Sequence, residues 1–152
     1  MSVDDKLRTK ARLRAVQLLY QADLNKEGFE SVLDGSFDDD SYCITLKENN
    51  KEHYILLVTN IVQGVELNSS RIDELVNSYL DGEKDIYKLE YVMRSLLRAA
   101  TCELLINTTV PFKVVLNEYI NLTHIFFNEK GESNLVNGVL DKIARELRPE
   151  EV

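Results

Sequence analysis

Apolar residues recur at three- and four-residue intervals along most of this 152-residue chain, and only six glycines and two prolines interrupt them. That spacing lines one face of an α-helix, whereas a half-buried strand alternates every second residue. So few breakers, with 29% charged residues, favour helix over a turn-rich β fold. A hydrophobic content of 44% is enough to bury a core, as one domain or as two small packed subdomains.

The periodicity predicts a first helix over 4–24, begun by Asp4 or Asp5, with Leu7, Ala11, Leu18 and Ala22 on its inner face. Residues 25–46 read as loop, with a short helical turn near Phe29–Leu33. The run Asp38-Asp39-Asp40 lacks the spaced ligands and closing Glu of a calcium loop, and reads as solvated acid. A second helix spans 47–67. Gly64 inside it costs about 1 kcal/mol relative to alanine, which close approach of another helix would offset. A third helix spans 70–80.

The fourth helix, 86–106, is the most hydrophobic and reads as central. Glu90 precedes Arg94 by four, the favourable order for an ion pair, and Glu103 needs a hydrogen-bond partner or solvent. Thr109-Val110-Pro111 starts a fifth helix that runs to about Phe127, and Ser133 caps a last one over 134–147. Asn137-Gly138 lies inside helical periodicity, so Gly138 reads as a second point of close helix approach. The sum is an all-α bundle of about six or seven helices, with short loops that make neighbours antiparallel.

Charge is unevenly spread. Lys6, Arg8, Lys10, Arg12 and Arg14 occupy every second position and, against Asp4 and Asp5, give residues 1–14 a net +3 on a chain at −8. Helical spacing sorts four of them into two adjacent stripes, Arg8 with Arg12 and Lys10 with Arg14, the second continued by Gln17 and Gln21. A cationic end on an acidic body is either a polyanion site or a solvated helix end. Its side chains reach phosphates, and guanidinium groups stack on unpaired bases. The acidic remainder repels a polyanion elsewhere on the surface.

Other classes find little support. No apolar run approaches a membrane span, and no hydrophobic segment follows the basic N-terminus as a secretory signal would require. Cys43, Cys102, His53 and His124 are isolated, so no metal site is expected, and no phosphate-cradling, dinucleotide-binding or zinc-protease motif occurs. No nucleophile stands beside a recognisable base. The expectation is a cytoplasmic protein without cofactor or enzymatic activity.

Four segments together resemble the NusB family of bacterial transcription antitermination factors. They are Arg12 to Tyr20 (RLRAVQLLY), Leu97-Arg98-Ala99 with Glu103-Leu104-Leu105, Val110 to Glu118 (VPFKVVLNE), and Leu135 to Lys142 (LVNGVLDK). Their order and spacing cover nearly the whole chain. The resemblance implies a fold of two packed helical subdomains, about 1–82 and 83–152. It implies binding of single-stranded boxA RNA from ribosomal RNA operons, together with a small-subunit ribosomal protein, NusE. That pair would join RNA polymerase with other Nus factors.

On this resemblance the arginine-rich motif falls on Arg8, Lys10 and Arg12, flanked by Lys6 and Arg14, with Thr9 interrupting the basic tract. A second part of the RNA side falls at Asn134, beside Glu132. Partner contact falls on Met93, Arg94 and Arg98 of the central helix, and a homodimer would cover the basic surface. Two alternatives stay open. One is the NusB-like RNA-binding module that precedes certain ribosomal RNA cytosine methyltransferases. The other is a helical adaptor with no RNA role.

Overall fold

A computed structural model describes residues 2–82 and 85–151. The expected division between subdomains at 82/83 abuts residues 83 and 84, which lie outside the described residues. Eight α-helices follow one another: α1 (Val3–Asn25), α2 (Phe29–Leu33), α3 (Ser41–Thr45), α4 (Glu48–Leu67), α5 (Ser69–Tyr79), α6 (Tyr91–Ile106), α7 (Phe112–Phe126) and α8 (Lys130–Leu147). Short 3-10 turns occupy Ile86–Lys88 and Pro149–Glu151, and no strand occurs among the described residues. The all-α expectation holds, with more helices than the six or seven expected.

The additional helix is α3, inside the expected loop. The Asp40 carboxylate accepts from the Cys43 N–H at 3.1 Å and so caps it. One member of the acidic run is therefore a structural cap rather than solvated acid. The start of α1 is capped in the same way by Ser2, whose Oγ accepts from the Asp5 N–H. Three expected helix starts shift. The fourth helix, expected from 86, is a 3-10 turn at Ile86–Lys88 followed by α6 from Tyr91. The residue before α7 is Pro111 rather than Thr109, whose hydroxyl donates to the Asn107 side chain instead. Helix α8 begins at Lys130, so Ser133 lies within its first turn and donates to the Lys130 carbonyl at 3.1 Å.

The core sits where α1, α4 and α6 meet, and α6 also packs on α7 and α8. Leu7, Ala11, Ala15 and Leu18 of α1 are buried against Val58 and Val62 of α4 and Leu96, Leu97, Ala99 and Ala100 of α6. Nearly every side chain of α6 from Met93 to Leu104 is buried, as expected of a central helix. Gly64 is where α4 and α6 come together: a Cβ there would stand 2.7 Å from Cys102 Sγ and 2.8 Å from Ile106 Cδ1. Gly138 behaves otherwise. It is exposed and a Cβ would meet nothing within 4 Å, so the expectation of a second close approach is wrong. A two-residue step along a helix turns by about 200°, so Gly138 points away from the inward residues Val136 and Leu140.

Candidate nucleic-acid interface

The alternating cations of α1 do not form one patch. Residues two apart on a helix face nearly opposite ways, so Lys6, Lys10 and Arg14 fall on one side and Arg8 and Arg12 on the other. Lys6 and Lys10 are exposed on the solvent side, near the exposed Gln17 and Gln21. The Lys10 ammonium lies 5.8 Å from the centre of the Tyr42 ring. Arg8, on the inward side but at the open end of the helix, is half-exposed and pairs with Asp4 at 3.2 Å.

The other two cations are used inside the protein. The Arg12 side chain is 7% exposed, and its Nε and Nη2 donate to both carboxylate oxygens of Glu103 at 2.9 and 3.0 Å. Glu118 stands 3.6 Å away, and the Tyr119 hydroxyl donates to Glu103 as well. Burial works against the Arg12 charge, but the hydrogen bonds and charge of Glu103 outweigh it and hold the guanidinium above its ordinary pKa. Arg12 is thus a tie between α1 and α6, and the assignment of this residue to an RNA surface gives way to that role. Arg14 donates to the Ser36 carbonyl at 2.7 Å and lies 3.5 Å from Asp40, so it holds the acidic segment against α1.

Asn134 is exposed on the outer face of α8, close in sequence to the half-buried Glu132. Thr9, which interrupts the basic run, donates to both oxygens of Glu118 at 3.2 Å and so joins α1 to α7.

The region expected to meet a protein partner is also rearranged. Met93 is buried at 4% exposure, so its side chain presents no surface. Arg94 is buried too. Its guanidinium pairs with Asp23 at 3.3 Å, not with Glu90, and lies 4.1 Å from the Tyr91 ring centre. Arg98 pairs through Nε and Nη2 with both oxygens of Asp73 at 3.0 Å and stands 5.5 Å from the Tyr87 ring centre. The large hydrophobic side chains that reach solvent here are Tyr87 and Tyr91, and Tyr91 meets the Tyr20 ring edge-on at 6.4 Å. The sequence reading missed both. The signal for them was two aromatic residues at the polar start of an otherwise apolar helix.

Among the described residues no group of His, Cys, Asp or Glu could hold a metal ion, and no helix is long and apolar enough to cross a membrane.

Comparison with known proteins places the fold in a family. Residues 9–145 match the NusB family. The transcription antitermination protein NusB of Rickettsia massiliae (strain Mtu5) is 37% identical over 145 residues, covering 90% of each chain. That of Rhizobium rhizogenes (strain K84 / ATCC BAA-868) is 36% identical over 151 residues, 94% of this chain and 89% of the relative. The solved NusB of T. maritima superposes with a TM-score of 0.78 at 30% identity, over 95% of this chain and 94% of that one. A structure of antitermination factors NusB and NusE in complex with dsRNA shares the fold, with a TM-score of 0.76 at 23% identity over 93% and 98% of the two chains. By a match that spans nearly its whole length, and by relatives that are transcription antitermination proteins, this chain belongs to the NusB family.

Proposed function

We propose that this chain binds single-stranded boxA RNA of ribosomal RNA operons through the solvent side of α1, jointly with the small-subunit ribosomal protein NusE. As a member of a family of transcription antitermination proteins it is a regulatory factor and not an enzyme. The observation that carries the RNA reading is the sorting of the α1 cations. Arg12 and Arg14 are neutralised internally, while Lys6 and Lys10 stand exposed and Arg8 is half-exposed on a chain of net −8. A small cationic surface on an anionic body steers a polyanion to one place and suppresses binding elsewhere. Exposed Asn134 on α8, assigned to the RNA side by the family resemblance, adds a neutral hydrogen-bonding group. The solved complex of a protein with this fold together with NusE and dsRNA supports both kinds of partner.

On this reading the protein partner meets Tyr87 and Tyr91, the exposed aromatics over Arg94 and Arg98, since aromatic residues dominate interface hot spots. The acidic body favours a basic partner. RNA affinity of the isolated protein is weak and rises once that partner adds its own positive charge. The joint complex then acts in the cytoplasm with RNA polymerase and other Nus factors. Self-association through the cationic face is the competing arrangement in the free protein, and sedimentation at rising concentration distinguishes it from a monomer.

The test is RNA affinity as a function of salt. Replacing Lys6, Arg8 or Lys10 by Ala lowers the log–log salt slope by about 0.7 each for a single strand. Duplex RNA is the second probe. Unchanged slope and affinity in all three variants would defeat the assignment of α1 to RNA. Tyr87→Ala and Tyr91→Ala weaken NusE binding and leave RNA binding by the isolated protein unchanged.

A further inference from the structure

A cleft of about 330 Å3 lies between α1 and the start of α3, lined by Lys10, Arg14, Gln17, Asp39, Ser41 and Tyr42 among others. Exposed Lys10 and Gln17 stand on its α1 side, and Lys6 is one helical turn away on the same face. Its inner polar groups are already occupied. Arg14 donates to the Ser36 carbonyl, and Asp40 accepts from the Cys43 N–H and, at 2.7 Å, from the Tyr54 hydroxyl. Its outer groups are not: the side chains of Asp39 and Ser41 make no hydrogen bond or ion pair among the described residues. The half-buried Tyr42 ring is tilted against Tyr54, with ring centres 5.4 Å apart, and the exposed Lys10 ammonium lies over the Tyr42 ring, 5.8 Å from its centre.

An acidic segment beside an RNA-binding helix would, as bulk charge alone, only weaken binding. Its placement here combines three groups that suit an unpaired base. Tyr42 supplies an aromatic ring for stacking, Lys10 supplies a cation for the attached phosphate, and Asp39 supplies an ionised carboxylate that only accepts hydrogen bonds. An acceptor-only group selects a ligand edge that donates. Cytosine and adenine present an exocyclic amino group; uracil presents a carbonyl oxygen at the corresponding place, whose lone pairs would face those of the carboxylate.

We propose that this cleft holds one unpaired nucleobase bearing an exocyclic amino group, stacked on Tyr42 in place of the Lys10 ammonium and donating to Asp39, while the strand's phosphates follow Lys6 and the displaced Lys10. The proposal rests on the reading of α1 as an RNA-binding helix and adds a base preference to it.

The experiment measures binding of 12-nucleotide oligo(C) and oligo(U) RNA at low salt to the full chain and to D39N, D38N and K6A variants. Asp38 is exposed and does not line the cleft, so D38N reproduces the charge change alone. The expected result is oligo(C) bound about tenfold more tightly than oligo(U), the range of one base-edge contact. D39N brings the ratio close to one, and D38N leaves it as it was. Equal binding of the two oligonucleotides by the unmodified protein, or an equal gain for both in D39N and D38N, overturns the cleft and makes the segment a general repellent. That result leaves the α1 reading standing. If neither oligonucleotide binds, or K6A changes affinity for neither, the α1 reading fails and the cleft fails with it.

Discussion

Arg12 and Glu103 meet as a two-pronged pair inside the bundle, Nε to Oε2 at 2.9 Å and Nη2 to Oε1 at 3.0 Å, with both side chains less than a tenth exposed. The pair joins the first helix to the central one, and Tyr119 adds a hydrogen bond from α7. Removing one partner leaves the other charged in a dry site. Arg12→Met is expected to cost about 3–5 kcal/mol, whereas Arg12→Met with Glu103→Met costs far less, because no charge is stranded. Urea denaturation of the two single variants and the double variant measures this. A single-variant cost under about 1 kcal/mol would contradict the tie.

Gly64 and Gly138 should respond to alanine with opposite signs. At Gly64 the new methyl group overlaps Cys102 Sγ, on a short and fully buried side chain, and Ile106 Cδ1. Gly64→Ala is expected to destabilise by about 1–3 kcal/mol. Gly138 sits in an exposed helical position with open space around it. Gly138→Ala is expected to stabilise by about 0.5–1 kcal/mol, through helix propensity and the less flexible unfolded chain. Thermal midpoints of both variants check the pair of signs together.

Stability should fall in alkali earlier than exposed ionisable groups would require. Burial, reinforced by the charge of Glu103, raises Tyr119 well above the ordinary tyrosine value and pushes the Cys102 thiol up to about 12. Burial and the hydrogen bond to Asp40 raise Tyr54. Each group stays protonated in the fold and loses its proton in the unfolded chain once pH passes its ordinary value. Unfolding then releases protons, so stability is complete below about pH 8.5 and declines as pH rises, first through Cys102 and above about pH 10 through the tyrosines. The slope approaches about 1.4 kcal/mol per pH unit for each group involved. Urea midpoints from pH 8 to 11 follow it, and Cys102→Ala should remove the larger share of the part that begins near pH 8.5, leaving that of Cys43, whose thiol burial also raises.

How much of this was legible in the sequence depended on helical phase. The close approach at Gly64 followed from a glycine amid the inward residues Ile61, Val62 and Val65 of α4. Gly138 was misread because its neighbours along the chain were weighed and its angle about the helix was not. Phase separated Arg12 from Lys10 in the sequence, and only the motif implied by the family resemblance joined them. Arg12 shares its side of α1 with buried Ala15, Val16 and Leu19, while Lys10 shares the opposite side with exposed Gln17. What phase could not supply is pairing between distant segments. That Glu103 would meet Arg12, or Asp23 would meet Arg94, depends on how α1 crosses α6, and nothing local encodes it. The cap that Asp40 provides for α3 was hidden inside a charge run whose composition points to solvent.

Arg148 extends the same logic to the end of the chain. It is 2% exposed and donates to the carbonyls of Glu103, Leu104, Asn107 and Val110, at 3.0 Å, 3.1 Å and 2.8 Å for the first three. The last carbonyls of a helix have no partner within it, so one guanidinium satisfies the end of α6 and the turn that follows. Its Nη1 also lies 3.2 Å from Glu151, which in turn accepts from the Phe112 N–H at the start of α7. A lysine carries the charge but lacks the planar fork needed to reach several carbonyls at once. Arg148→Lys is therefore expected to cost about 3–6 kcal/mol in urea denaturation, the scale of two buried charge-assisted hydrogen bonds. Glu151→Gln should cost under about 1.5 kcal/mol, and it should speed hydrogen exchange at the Phe112 amide while leaving the centre of α6 unchanged. Equal acceleration throughout α6 would mean that the contact acts on the whole fold and not on the α6–α7 junction.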